Sequence, residues 1–429
     1  MQLTKSKNIA SALAMASCSL IGTAQAEDNK ADDWKVDAAI MYYGENERVQ
    51  AVEGIANVQK AFGDTSTLDM KLVVDALTGA SASGAVPQGT VQTFTRPSGQ
   101  GQYQVEAGKT PLDDTFHDTR VQLSGNWTEK LSPVWTVSGG LYGSKEFDYL
   151  SMGANAALER SFNKDNTTLA LSGSYSHDQI DPVGGTPVAL SAMVLRGNYA
   201  SDDAYWQAFN ATRDGNSETK DTADILLGVT QVLNANWLMQ VNYGLSSVSG
   251  YMTDPYKLVS VVDSEGIALE QLYESRPDSR LKHSGYLLFK GALDSAVMDV
   301  SYRFTTDDWG ISSHTLETHY RHYFNEGFYG QLHLRYYQQS EADFYTPYLQ
   351  QGAPLPEFAS ADYRIGKMNA YTVGLKFGHR LPGGHELSYR IEYYQQNPDN
   401  PGVELLNGFN GYDLFPDVKA IVAQVSYSF

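Results

Sequence analysis

Hydrophobic and polar positions alternate along much of this chain with a period of two. Val121, Leu123, Gly125 and Trp127 fall on one face, and Gln122, Ser124 and Asn126 on the other. Leu169, Leu171, Gly173 and Tyr175 likewise oppose Thr168, Ala170, Ser172 and Ser174. Trp237, Met239, Val241 and Tyr243 oppose Gln240 and Asn242, and Met298, Val300, Tyr302 and Phe304 oppose Asp299, Ser301 and Arg303. That period belongs to a β-strand whose two faces meet different surroundings. The last stretch, 418–429, puts Ile421, Ala423, Val425, Tyr427 and Phe429 on one side and turns small and polar on the other. In water so apolar a strand is a sticky edge; closing a barrel removes the edge, and a bilayer accepts the apolar face.

Turn residues punctuate the pattern. Gly63-Asp64-Thr65, Lys130-Leu131-Ser132, Asn163-Lys164-Asp165, Asn234-Ala235-Asn236, Asp294-Ser295, Asn325-Glu326-Gly327 and Pro382-Gly383-Gly384 tolerate the backbone angles of tight hairpins. The segments between them are long enough to cross a bilayer at a tilt. The opposite connections differ in kind: three are short, near Glu45, Asp148 and Asp308. Five are long, near 79–115, 179–220, 250–280, 341–361 and 397–416. One end thus has only tight turns and the other the bulk, the asymmetry of an outer-membrane barrel with short periplasmic turns and long extracellular loops. The pattern predicts an all-β transmembrane antiparallel barrel of sixteen strands. Fourteen is the alternative, because the first three strands (near 34–43, 48–61 and 66–78) are the least marked.

Residues 1–26 read as a leader. Lys5 and Lys7 precede an apolar run, and Ala24-Gln25-Ala26 offers a small-residue cleavage site. Residues 27–429 then form one barrel domain, exported to the bacterial outer membrane. Cleavage would remove Cys18, the chain's one cysteine, and with it disulfides and thiolate metal sites. The leader carries two lysines and no acid, so a formal charge of −19 becomes −21. That balance disfavours nucleic acid, which needs a basic footprint.

Phe62, Trp127, Trp135, Phe162, Trp237, Phe324, Phe328 and Phe429 all fall near the tight-turn end, as a membrane-interface belt would. The ending Tyr427-Ser428-Phe429 resembles the signal by which outer-membrane barrels are recognised for assembly. It makes Tyr427 and Phe429 the assembly residues and the barrel-assembly machinery an expected partner. Outer-membrane lipid and lipopolysaccharide are the others, with small solutes or ions in the lumen.

Several strings resemble a family of bacterial envelope proteins, domain of unknown function 3570. They are the segments 250–257 (GYMTDPYK), 273–278 (YESRPD), 306–310 (TDDWG), 334–340 (LRYYQQS), 361–364 (ADYR) and 75–81 (DALTGAS). The resemblance implies an outer-membrane barrel and no established activity, ligand or catalytic residue.

The inward wall carries the remaining chemistry. In the first half it reads as mostly small and uncharged, with Gln122, Ser124, Asn126, Ser172, Ser174, Gln240 and Asn242. In the second half it becomes densely charged. Arg303, Glu317, His319, Arg321, His333, Arg335, Arg364, Arg390 and Glu392 are the constriction candidates, with Asp299 and Glu386 on the same wall. Paired charges either brace the lumen across strands or sort solutes by sign and size. His319 and His333 beside Glu317 match no zinc spacing, so no metal and no cofactor is expected. Asp254, Asp307 and Asp308 lack the spacing of a calcium loop. Pairs such as Ser312 and His314 could suggest a hydrolase, but any Ser-rich barrel with nine histidines offers some; without a nucleophile elbow or phosphate loop, no catalytic residue and no enzyme is expected. The segment 79–108, rich in Gly, Ser, Gln and Thr, folds inward as a plug or stays outside. These features predict a porin-like passage for small solutes or ions, with a non-conducting barrel for adhesion, docking or envelope architecture as the alternative.

Overall fold

The computed structural model describes residues 34–429, so the expected leader at 1–26 lies outside the described residues. The chain begins with β1 (Trp34–Glu45), β2 (Val49–Phe62) and β3 (Ser66–Ala82). A hairpin, β4 (Gln92–Thr95) and β5 (Gln102–Val105), precedes β6 (Leu112–Ser132), β7 (Trp135–Lys145), β8 (Tyr149–Phe162) and β9 (Thr167–Ile180). Helix α1 (Asp202–Ala211) follows, then β10 (Glu218–Asn234), β11 (Trp237–Gly250), and a second hairpin, β12 (Leu258–Val262) with β13 (Ala268–Tyr273). After β14 (Ser279–Leu293), β15 (Ala296–Asp307), β16 (Ser312–Asn325) and β17 (Phe328–Gln339) come the short β18 (Leu349–Gln350), then β19 (Met368–Arg380), β20 (Glu386–Pro398) and β21 (Val418–Ser428).

Sixteen of these strands close an antiparallel barrel, and β1 pairs with β21 to seal it, Asp37 opposite Ser428 and Glu45 opposite Ala420. Sixteen, and not the alternative fourteen, is the count: the three least marked strands are all present. The tight turns fall where turn chemistry predicts, with one shift. Leu131 lies inside β6, at a register irregularity, and Pro133-Val134 makes the turn. Asn163, Lys164 and Asp165 all adopt positive φ, as do Gly383 and Gly384, so these turns need the residues they have.

Large apolar side chains point outward. Leu141, Ile40, Leu123 and Ile391 are all more than half exposed, and each alternates with a polar inward neighbour. A closed barrel satisfies its backbone polar groups from strand to strand, so this apolar exterior is stable only against lipid. At the tight-turn end the belt is built as expected. Phe62 and Trp127 lie 5.3 Å apart, Lys60 Nζ sits 4.6 Å from the Trp34 ring, and Arg160 covers Trp135 and Phe162. The cations lie on ring faces while remaining near water.

The buried apolar clusters sit mainly at the opposite end, in the long connections. Phe94, Val105, Leu258 and Tyr273 form one, and Val262, Tyr348 and Phe409 another. In the 79–108 segment, β4 and β5 pack against the 251–278 connection. Leu258 N donates to Ser83 O (2.7 Å), Val86 N to Ser260 Oγ (3.0 Å), and the Lys257 ammonium to the Ala82 carbonyl. Ala82 ends the third strand of the barrel and Lys257 follows the ninth, so these bonds span the mouth. Helix α1, capped by Ser201 with Asp202 and Asp203 in its first turn, joins through Tyr205, whose hydroxyl donates to Gly99 O at 2.7 Å. Gly99 holds φ +73, and a Cβ there would strike Trp206 and Phe209.

Candidate lumen site

On the inward face of β16, Glu317, His319 and Arg321 stand two residues apart. The tight turn to β17 sets His319 directly opposite His333, and Glu317 opposite Arg335. Such cross-strand neighbours are within side-chain contact. The two imidazoles stack, with centroids 4.4 Å apart and planes 15° apart. Three carboxylates surround them. Asp299, opposite His319 on β15, lies 2.9 Å from His319 Nδ1. Glu392 on β20 lies 2.9 Å from His333 Nδ1, and Glu317 Oε1 lies 3.0 Å from His333 Nε2 and 3.8 Å from His319 Nε2.

Glu392 reaches His333 because the strand between them is bare. Its neighbour on β19 is Gly374, where a Cβ would meet Glu392 Cγ at 2.6 Å. The same device recurs one turn down: Tyr329 passes over Gly378 and donates to Glu386 Oε1 at 2.6 Å. One row nearer the tight turns, Arg390 donates to Gln424 Oε1 (2.5 Å) and lies 3.7 Å from Glu392. Together these side chains line a cavity of about 270 Å³ with Glu317, His319, His333, Lys376, Arg390 and Glu392 in its wall. That is room for roughly nine waters at ~30 Å³ each.

The remaining candidates are placed less closely. Arg321 donates to Gln331 (2.9 Å) and covers the Tyr329 ring, while Arg303 and Arg335 lie over Tyr286 and Tyr337. Arg364 is not on the wall. The Asp362 side chain accepts from Arg364 N and turns the chain into a short 3-10 segment, Tyr363–Ile365, so that β19 starts only at Met368. Arg364 instead belongs to a buried ion network in the external connections, joining Asp362 and Asp254 (2.7 Å), with Arg276 on Asp362 (2.6 Å) and Glu274 (2.7 Å). Burial works against charge there, yet Arg364, Arg276 and Lys257 hold the Asp362 carboxyl well below its ordinary range. Burial raises Glu274 despite Arg276, and pushes the Lys257 ammonium down to about 8.

Nor is the first half of the wall uncharged. Glu53, Asp75 and Arg120 share one row across β2, β3 and β6, with Arg120 bonded to Asp75 and 3.5 Å from Glu53. Lys220 pairs with Asp178 at 3.0 Å. The row forms only once strand pairing aligns β2, β3 and β6, and a long connection separates the last two. Ser312 and His314 do not pair: His314 Nδ1 bonds the Tyr302 hydroxyl (2.6 Å), and Ser312 Oγ contacts Thr306. The acids considered for calcium are engaged, Asp307 with Arg280 (2.8 Å) and Asp308 with Leu281 N (2.9 Å). Tyr427 and Phe429 pack ring to ring (4.6 Å) beside the β1–β21 seam, with Phe429 N donating to Val36 O.

A closed, lipid-faced, sixteen-stranded antiparallel barrel with a charged interior defines the outer-membrane β-barrel class. Within it, the chain belongs to the family described as protein of unknown function (DUF3570), whose model matches residues 10–429. No curated protein matches the chain in sequence. Among solved structures, it is similar to a bacterial polysaccharide outer membrane secretin (8% identity, 94% of this chain and 100% of that one, TM-score 0.46). It is also similar to the outer membrane protein opdK from Pseudomonas aeruginosa (10%, 92% and 99%, TM-score 0.37). A third likeness is the CymD monoaromatic hydrocarbon channel (8%, 93% and 88%, TM-score 0.38).

Proposed function

We propose that this barrel is a non-enzymatic, porin-like conduit of the bacterial outer membrane for small ions and polar solutes. What supports the reading is the charged cavity at mid-barrel. Ionisable groups inside a membrane-spanning wall need water or counter-charges, and here the ion pairs leave solvent-sized space between them. Charges of both signs on one constriction select by sign and size. The net charge of −19 adds a long-range attraction for cations. The test is single-channel conductance of the refolded protein in a planar bilayer under a salt gradient. Discrete steps with a cation-directed reversal potential are expected; a folded, heat-modifiable barrel that never conducts would sink the reading.

One observation favours the second reading, a non-conducting barrel that docks a partner. The external connections are packed and ion-paired across the mouth, as a recognition surface would be. A silent barrel that still binds a partner would move the role to that surface.

A further inference from the structure

We infer that Glu317, His319 and His333 form a lumenal site for a divalent transition-metal ion such as Zn²⁺ or Cu²⁺. One oxygen or nitrogen from each side chain lies within 4.8 Å of the others. The second coordination sphere is already in place. A carboxylate only accepts hydrogen bonds, so Asp299 and Glu392 fix the proton of each ring on Nδ1. That leaves each Nε2 turned towards Glu317 Oε1, at 3.0 Å from His333 and 3.8 Å from His319. A nitrogen lone pair and a carboxylate oxygen facing one another need a positive species between them. For His333 a second proton suffices; for the trio together, a metal ion satisfies both rings and the carboxylate at once.

The dimensions agree. Ligands about 2.1 Å from a zinc ion are themselves about 3.0–3.4 Å apart. The Glu317–His333 pair meets that spacing; His319 has to close on Glu317 by roughly half an ångström, and the two stacked rings have to tilt so that both lone pairs meet one ion. Carboxylate–histidine–metal chains of this kind raise ligand basicity and hold the ring orientation. Two imidazoles and one carboxylate favour Zn²⁺, Cu²⁺, Ni²⁺ or Co²⁺ over Ca²⁺ and Mg²⁺, which take oxygen ligands. All three side chains line the cavity, so an ion held there would be open to lumenal water. Lys376 and Arg390 sit one row nearer the tight turns, and Arg335 one row nearer the mouth.

The inference deepens the conduit reading by naming an ion class. Its test is binding, which a non-conducting barrel would also pass, so the two fail separately. Refolded, heat-modifiable barrel is titrated with Zn²⁺ by calorimetry, with excess Ca²⁺ present. One ion per chain is expected. His319→Ala and His333→Ala should each weaken binding at least tenfold, Glu392→Gln by about 10–100-fold, and His314→Ala not at all. Cu²⁺ electron paramagnetic resonance on the unaltered protein tests the same point without any variant. Coupling to two imidazole nitrogens is expected. An oxygen-only spectrum, no saturable binding, or binding unchanged by both histidine substitutions would each overturn the site.

Discussion

Glu392 bonds His333 from two strands away, across a β19 crossing point that carries no side chain. The glycine is there for approach and not for backbone angle, since a Cβ at Gly374 would press on Glu392 at 2.6 Å. Gly374→Ala should push Glu392 off the imidazole. A hydrogen bond to a charged group contributes about 1.5–3 kcal/mol, and the outward face of β19 is untouched, so the barrel should still assemble. The check is the downfield Nδ1 proton of His333 in the NMR spectrum of histidine-labelled barrel in micelles. It should vanish in Gly374→Ala and persist in Gly140→Ala, on the far side of the barrel.

How legible this site is in the sequence depends on what connects its strands. Glu317 and His319 share a face because they are two apart, and His333 follows from the tight Asn325-Glu326-Gly327 hairpin, which fixes register. Asp299 needs the next short connection, and its polarity is visible without its partner. Glu392 and Gly374 lie beyond the 340–367 connection, whose length leaves register free in the sequence. The same applies to the Glu53–Asp75–Arg120 row. Arg364 fails for another reason: alternation does not distinguish a strand start from an Asp-nucleated turn. The exterior is legible along most of the chain, since a lipid face imposes a period of two, and least so in β1–β3.

That exterior makes a paired prediction at Val373 and Thr372. Val373 is half exposed on the outward face at mid-strand, while Thr372 is buried inside. Val373→Arg should destabilise the barrel by about 2–4 kcal/mol. Thr372→Arg should cost clearly less, because its charge enters a polar lumen. Urea unfolding in lipid vesicles, followed by heat-modifiability, compares them, and equal losses would mean the faces are misassigned.

Phe429 tests the seam. Its ring packs on Tyr427, and its backbone ties β21 to β1 at Val36. Phe429→Ala removes a ring pair contributing about 0.5–1.5 kcal/mol at the point where the barrel closes. The expected outcome is a smaller heat-modifiable fraction in the outer membrane, with the backbone bond kept. Unchanged levels would count against the closing-strand argument.

The packed external connections form a cap, and Asp362 holds it together between Arg364 and Arg276. Asp362→Asn takes one counter-charge from the buried Arg276 and the half-buried Arg364, leaving them Glu274 and Asp254, so the cost should fall below the ~3–5 kcal/mol of a fully broken buried pair. Because the network lies in the connections, the loss should appear there first. Protease added to intact outer-membrane vesicles should cut between 251 and 278, or between 340 and 367, many times faster, while the strands stay protected. Loss of the whole barrel instead would mean that cap and wall fold as one unit.

Lys257 gives the cap a pH dependence whose sign is fixed. Burial pushes its ammonium down to about 8, against about 10.4 for an unfolded lysine. Between those values the opened chain binds a proton that the closed cap does not, so the cap gains stability as pH rises, by at most about 1.4 kcal/mol per pH unit. Above the upper value the gain is complete, and below about pH 8 it is absent. Asp254, Glu274 and Asp362 favour the charged lysine and Arg364 opposes it, but burial outweighs them. Protease cutting of the 251–278 connection should therefore slow between pH 8 and 10, after correction for the protease's own profile. Lys257→Arg, which keeps its charge throughout, should flatten that slope; a slope unchanged by the substitution would assign the effect to another group.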